Sequence, residues 1–157
     1  MAQTITDILT AIEAALANST TLSTWCTTNY SKAPSIFIGI DPLEQPEFKV
    51  SCPMIAVLLG GRIRAPHQDA RYHTIKIRCA LHDTTAPATG TKTNSKVYGT
   101  LSKLDAFANI VDGVIVTALN GINIPTTQGN NTDEGDEITP PFFISRWTET
   151  VICSIRP

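Results

Sequence analysis

Histidine and cysteine are the residue types in this chain that could bind a metal or act as nucleophiles. The histidines are His67, His73 and His82, and the cysteines are Cys26, Cys52, Cys79 and Cys153. No CxxC pair occurs, whereas zinc sites usually draw on Cys and His ligands at short spacing. Cys79 and His82 are three residues apart in a predicted strand, where they point to opposite faces. We therefore expect no metal site and no cofactor.

A catalytic thiol needs a neighbouring cation or a helix N-terminus to activate it. The sequence around Cys79 and Cys153 supplies neither, and both residues lie in apolar, β-like segments, so we predict reduced and mostly buried thiols. No GxSxG, HExxH, GxGxxG or Walker-type GKS/GKT motif occurs. We expect no catalytic residues. The alternative is a small hydrolase or transferase whose site is assembled from residues far apart in sequence.

The charge inventory argues against tight binding to nucleic acid. The net charge is −2, with 12 basic and 14 acidic residues, whereas phosphate neutralisation needs a basic patch. The basic residues occur at most in short pairs such as Arg62 and Arg64, which the fold could bring near Arg71, Lys76 and Arg78. Arg62 and Arg64 are therefore candidate contact residues.

A short acidic run comprises Asp133, Glu134, Asp136 and Glu137. It lacks the alternating oxygen ligands and the closing glutamate of an EF-hand, so it does not predict a calcium site. One interpretation is a solvated loop. The other is a negatively charged loop that faces a partner or a nucleic-acid channel, where it would repel phosphate, and this makes the four residues candidate interaction residues.

The elements that position these residues follow from hydrophobic periodicity. Helices are predicted over 4–17, 23–30 and 96–120. Thr4 and Asp7, at the start of the first helix, are close to a capping box. Strands are predicted over 35–40, 53–59, 72–81 and 142–155, and Gly60-Gly61 is predicted to be a turn. The 157 residues thus form one α+β domain. We expect a mixed or antiparallel sheet of about four strands, with the N-terminal helix and the long helix on one face.

The long helix carries more apolar surface than a sheet alone would cover. One stripe runs along Leu104, Val111 and Ile115, and Phe107, Ile110 and Val114 form a second stripe beside it. The second stripe is therefore a set of candidate interaction residues. The segments 83–96 and 126–141 are predicted to be long loops without secondary structure, which are either contact arms or plain surface loops.

No targeting or membrane segment is expected. The first ten residues lack the charged and apolar regions of a signal peptide, and the longest apolar stretch, near 114–119, is too short to span a bilayer. We expect synthesis in a cytoplasm and no membrane partner.

The layout of these elements resembles the tail-terminator, or tail-completion, proteins of long-tailed bacteriophages. The resemblance rests on the helix ITDILTAI at 5–12, the strand PMIAV at 53–57, the alternating strand HTIKIRC at 73–79, the long helix at 101–119 and the closing strand at 142–155. It spans most of the chain as a shared layout, from which the long loop 126–141 departs.

The resemblance implies a structural protein of the virion, at the head-proximal end of the tail and assembled in the host cytoplasm. About six copies would form a ring, a closed assembly with a heterologous interface. The implied partners are the tail tube protein and the head–tail connector, and DNA would pass through the lumen without specific binding. Alternatives are a head-closure or connector adaptor, another tail-associated protein, or a generic bacterial adaptor domain.

Overall fold

The computed structural model describes residues 4–39, 46–64, 70–124, 132–133 and 135–154. The helices are α1 (Ile5–Asn18), α2 (Thr20–Tyr30), α3 (Phe48–Ser51) and α4 (Thr100–Gly121). The strands are β1 (Ser35–Ile38), β2 (Met54–Arg64), β3 (Ala70–His82), β4 (Ala88–Thr89), β5 (Lys96–Val97), β6 (Thr132–Asp133), β7 (Glu137–Thr139) and β8 (Phe142–Ser154).

The main sheet has the strand order β1-β2-β3-β8-β6, and β7 also pairs with β8. The pair β1–β2 is parallel, and the other pairs are antiparallel. The longest ladder joins β3 to β8, from Ala70 opposite Ser154 to His82 opposite Phe142. The predicted α+β class and mixed sheet are confirmed, with six strands in the sheet rather than about four.

The helices α1, α2 and α4 cover one face of this sheet. Their apolar stripes meet the inward residues of β2, β3 and β8 in one core. Its largest fully buried side chains include Ile8, Ile12, Leu16, Ile55, Ile75, Ile77, Leu104, Phe107 and Phe143. The long helix packs on the sheet as predicted, and its second stripe contacts α1 and α2 of the same chain.

The start of α1 shows how the sequence sets a helix boundary. The Thr4 hydroxyl accepts a hydrogen bond from the Asp7 N–H at 3.2 Å, and the Thr4 N–H donates to the Asp7 carboxylate at 2.8 Å. This reciprocal pair is a capping box, as predicted. The hydrogen bonds from Thr4 hold the pKa of Asp7 below its ordinary value.

The predicted turn at Gly60-Gly61 is wrong, because β2 continues through both glycines to Arg64. Leu59 pairs with Ile75 and Gly61 with Thr74, so Gly60 is the extra residue of a β-bulge. A Cβ atom on Gly60 would lie 2.8 Å from the Thr74 hydroxyl. The dipeptide therefore bends a long strand and does not end it.

The two predicted loops also contain strands. Within 83–96, β4 pairs with β5 in a separate two-stranded ribbon. Within 126–141, β6 and β7 both pair with β8. The prediction of loops without secondary structure is thus wrong for the parts of both segments that the structure describes. Residues 126–131 and Glu134 lie outside the described residues.

The opposite face of the sheet has a smaller apolar cluster under α3. Cys52, Met54 and Ala80 form its buried centre, and Phe48 of α3 packs against them. The cluster covers only one end of this face. The rest of the face carries the polar residues of β3 and β8, as the period-two pattern of β3 predicts.

Among the described helices, α4 has 22 residues and is long and apolar enough, by length and composition alone, to span a membrane. Its Leu104, Phe107, Val111, Ile115 and Leu119 are all buried in the core described above. A core helix that is buried along one side has this composition.

Candidate interaction surface

A shallow apolar groove runs between the C-terminal part of α1 and the middle of α4. Its volume is about 440 Å³, and Ala15, Ser19, Thr21, Asn109, Ile110, Gly113, Val114, Thr117 and Ala118 line it. None of these residues is charged. The predicted residues Ile110 and Val114 both lie here and are only partly buried by the chain itself. Small side chains on either side of them leave room for a partner's side chains.

Phe107 was predicted to belong to the same surface, and that prediction is wrong. Its side chain has 0% exposure and stacks on Trp25 of α2, with 5.2 Å between ring centroids. The second stripe of α4 is thus divided. Phe107 contributes to the core of the single copy, whereas Ile110 and Val114 reach the surface one and two turns later.

The β1 side of the sheet is a second apolar area. No described strand pairs with the outer side of β1, so its peptide groups form a sheet edge there. Ile38 at the end of β1 is 37% exposed, and Leu59 in the neighbouring strand is 54% exposed. Unpaired strand edges favour pairing with another chain.

The predicted charged contact residues do not converge on one site. Asp136 and Glu137 are exposed, and Glu137 forms an ion pair with Arg146 of β8. Asp133 lies in β6, but its side chain, like Glu134 as a whole, is outside the described residues. Arg62 and Arg64 lie at the far end of β2, in register with His73 and Arg71 of β3, and their side chains are not described.

The cysteines and histidines are dispersed. Cys26, Cys52 and Cys79 are free and buried, and burial raises the pKa of Cys26 to about 12 and that of Cys52 to about 11. Burial also raises the pKa of Cys79 well above its ordinary value. A thiol with a raised pKa is a poor nucleophile. The structure therefore places these thiols as the sequence predicts, while Cys153 has no described side chain.

The histidines also lie apart. His73 points into the helix-covered side of the sheet and is 5% exposed. His82 lies on the opposite side, with its ring 5.1 Å from that of Phe142, so Cys79 and His82 do point to opposite faces. Among the described residues no three His, Cys, Asp or Glu side chains are grouped for a metal ion, and His67 lies outside them.

A pair of neighbouring carboxyl groups, one of them buried, was not predicted from the sequence. Glu149 of β8 is 5% exposed and lies beside Asp112 of α4. Burial and then the charge and hydrogen bonding of Asp112 raise the pKa of Glu149 to about 7. Period-two spacing places Glu149 on the same side of β8 as the buried Trp147 and Val151, and this pattern could have revealed it.

No protein-family model matches the chain, and no curated protein matches it either. The function is therefore inferred from the residues and from the layout of the elements. What the described surface offers is two unlike apolar areas, the groove beside α4 and the edge at β1. The described thiols show no sign of chemical activation.

Proposed function

We propose that this chain is a tail-terminator-like subunit of a bacteriophage virion. Several copies form a ring at the head-proximal end of the tail tube, where the ring ends tube polymerisation and joins the tail to the head connector. The observation that carries the proposal is the groove beside α4, where Ile110 and Val114 remain partly uncovered by their own chain.

A ring needs two different contact areas on each copy. In a cyclic assembly with a heterologous interface, one area of a subunit meets a different area of its neighbour. The groove lies on the helical layer, whereas Ile38 and Leu59 mark the β1 side of the sheet. These two areas have the unlike shapes, a groove and a strand edge, that such an interface requires.

The charges are compatible with a ring that DNA traverses. The net charge is −2, and Asp136 and Glu137 are exposed. A lumen of this character would repel phosphate and would not hold it. The ring would thus contact the tail tube protein and the connector through protein surfaces, without specific binding to DNA.

Substitution within the groove tests the proposal. Val114→Asp and Ile110→Asp each place a charge where a neighbour's apolar side chains would pack, so both should convert the assembly to monomers. Leu101→Asp is the matched control, because Leu101 is an exposed apolar residue of α4 outside the groove. The measurement is molar mass by light scattering coupled to size-exclusion chromatography, with circular dichroism to verify folding.

The expected result is a wild-type multimer that the control retains and the two groove variants lose while staying folded. Multimers of unchanged mass in both groove variants would show that the groove is not an interface. A wild-type chain that is monomeric at high concentration would contradict the ring itself.

A further inference from the structure

The outer face of the sheet, opposite the long helix, carries a row of cationic side chains. Arg78 of β3 lies directly opposite Arg146 of β8 in the ladder, and Lys76 is the next residue of β3 on the same side. All three are half-buried. Like charges in directly opposed positions of a sheet destabilise it, so the fold alone does not account for this arrangement.

The chain supplies a carboxylate to one of the two guanidinium groups. Glu137, on the adjacent strand β7, forms an ion pair with Arg146. No described residue forms a hydrogen bond or an ion pair with Arg78, and its Nε lies buried without an acceptor. A half-buried guanidinium group is stabilised when a carboxylate accepts its hydrogen bonds. The described part of this face therefore lacks an acceptor at Arg78.

We propose that Lys76, Arg78 and Arg146, together the basic row, bind an extended acidic segment of a partner protein, with a carboxylate of that segment on Arg78. The ion pair between Glu137 and Arg146 shows that a carboxylate can reach a guanidinium group of this row, from a strand that pairs with β8. The fork of a guanidinium group matches a carboxylate with two parallel hydrogen bonds.

The surroundings of the basic row fit such a segment. On the same side of the sheet, Thr148 lies opposite Lys76, and Thr74 and Thr150 form the next pair beyond the row; all three are half-exposed. Their short side chains form a flat strip on which an extended chain can lie. The apolar cluster under α3 is centred on Cys52, Met54 and Ala80, so it ends before this strip begins.

A nucleic acid is the other polyanion to consider, and the charges disfavour it. The exposed carboxylates of Asp136 and Glu137 border the row on the β7 side. They would repel a phosphate backbone, which carries a charge at every nucleotide, more strongly than a segment that places a single carboxylate on Arg78. The row has only three cations, and Glu137 already forms an ion pair with Arg146, so few phosphates would be neutralised. This inference does not depend on the ring, since a monomer would present the same face.

The test is binding of two labelled probes to the full chain at low salt, measured by fluorescence anisotropy. One probe is a decapeptide of alternating Glu and Thr, and the other is a short DNA duplex. The variants are Arg78→Gln, Arg78→Lys and, as the control for charge, Lys92→Gln, because Lys92 is exposed outside the main sheet. Circular dichroism verifies that each variant is folded.

The wild-type chain should bind the peptide at least tenfold more tightly than the duplex. Arg78→Gln should weaken peptide binding about tenfold. Arg78→Lys keeps the charge but loses the two parallel hydrogen bonds and should weaken binding about threefold, whereas Lys92→Gln should change it about twofold or less. Equal peptide affinity for Arg78→Gln and the wild type would overturn the proposal, as would an Arg78-dependent preference for DNA. Loss of the ring in other experiments would leave this result unaffected.

Discussion

At the scale of single residues, the pair of Glu149 and Asp112 links pH to stability. Two carboxyl groups that lie side by side in a core cannot both ionise at low cost. Burial and the neighbouring Asp112 raise the pKa of Glu149 from 4.5 to about 7 in the folded chain. A raised pKa means that the folded state binds the proton more tightly than the unfolded state does. Stability therefore falls as the pH rises from about 4.5 to about 7.

Glu149→Gln should remove this dependence. The amide stays neutral at every pH, so the variant should be more stable than the wild type above pH 7 and close to it at pH 4. The measurement is the urea midpoint between pH 4 and pH 9. Glu13→Gln, which changes an exposed carboxylate of α1, is the control and should follow the wild type. An equal slope for Glu149→Gln and the wild type would contradict the assignment.

A second carboxylate, Asp83, changes the stability with pH in the opposite direction to Glu149. It follows β3 and accepts hydrogen bonds from the Thr85 N–H at 2.8 Å and the Thr100 hydroxyl at 2.9 Å, with the Lys103 ammonium group 3.6 Å away. Burial alone would raise its pKa, but these hydrogen bonds and the Lys103 charge outweigh it and lower the pKa to about 2. The folded state thus favours the charged form.

Asp83→Asn should therefore destabilise the chain by about 1–2 kcal/mol at neutral pH, because the charged hydrogen bonds are weakened. The difference from the wild type should be complete above pH 3.8 and should shrink as the pH falls towards 2. Chemical unfolding at pH 7 and pH 2.5 provides the comparison, with Asp105→Asn, an exposed carboxylate of α4, as the control. A pH-independent difference would rule out the ionised form as the cause.

At the scale of elements, α4 contributes to the core at Phe107 and to the surface groove at Ile110. Phe107 stacks on Trp25 and belongs to the core, whereas Ile110, three residues later, lines the groove.

Phe107→Ala should lower the free energy of unfolding by about 3–5 kcal/mol, and Ile110→Ala by about 1 kcal/mol or less, because only the first leaves a cavity in a closed core. Urea unfolding of the two variants, with Phe107→Leu in case the alanine variant does not fold, tests this division. Equal losses would contradict it.

Much of this architecture could be predicted from local patterns. The capping box at Thr4 and the alternation of β3 depend on neighbours in sequence, and both predictions hold. The bulge at Gly60 could not be predicted, because whether two glycines form a turn or a bulge depends on how the strand pairs with β3. The short strands β6 and β7 exist only through their pairing with β8.

The candidate site was predictable to the same limited degree. Periodicity identifies the second stripe of α4 but does not reveal that α2 covers Phe107 and leaves Ile110 at the groove. Likewise, the pairing of Arg78 with Arg146 depends on the register between two strands that lie more than 60 residues apart. Contacts of this kind are set by tertiary packing, which a single sequence does not display.

At the scale of the whole molecule, the chain has a complete core of its own and unlike apolar areas outside it. Val111 and Ile115 are fully sheltered, so the proposed assembly would have to use the groove around Ile110 and Val114 and the β1 edge. A heterologous interface gives a ring only when the rotation between neighbouring copies closes on itself, and gives an open filament otherwise. The ring remains a proposal about the surface, and the core does not depend on it.

Negative-stain electron microscopy of the purified full chain tests this claim most directly. We expect ring-shaped particles of several copies around a central hole. If the wild type and the groove variants alike show only featureless particles no larger than the 17.0 kDa single chain, the proposed ring is wrong.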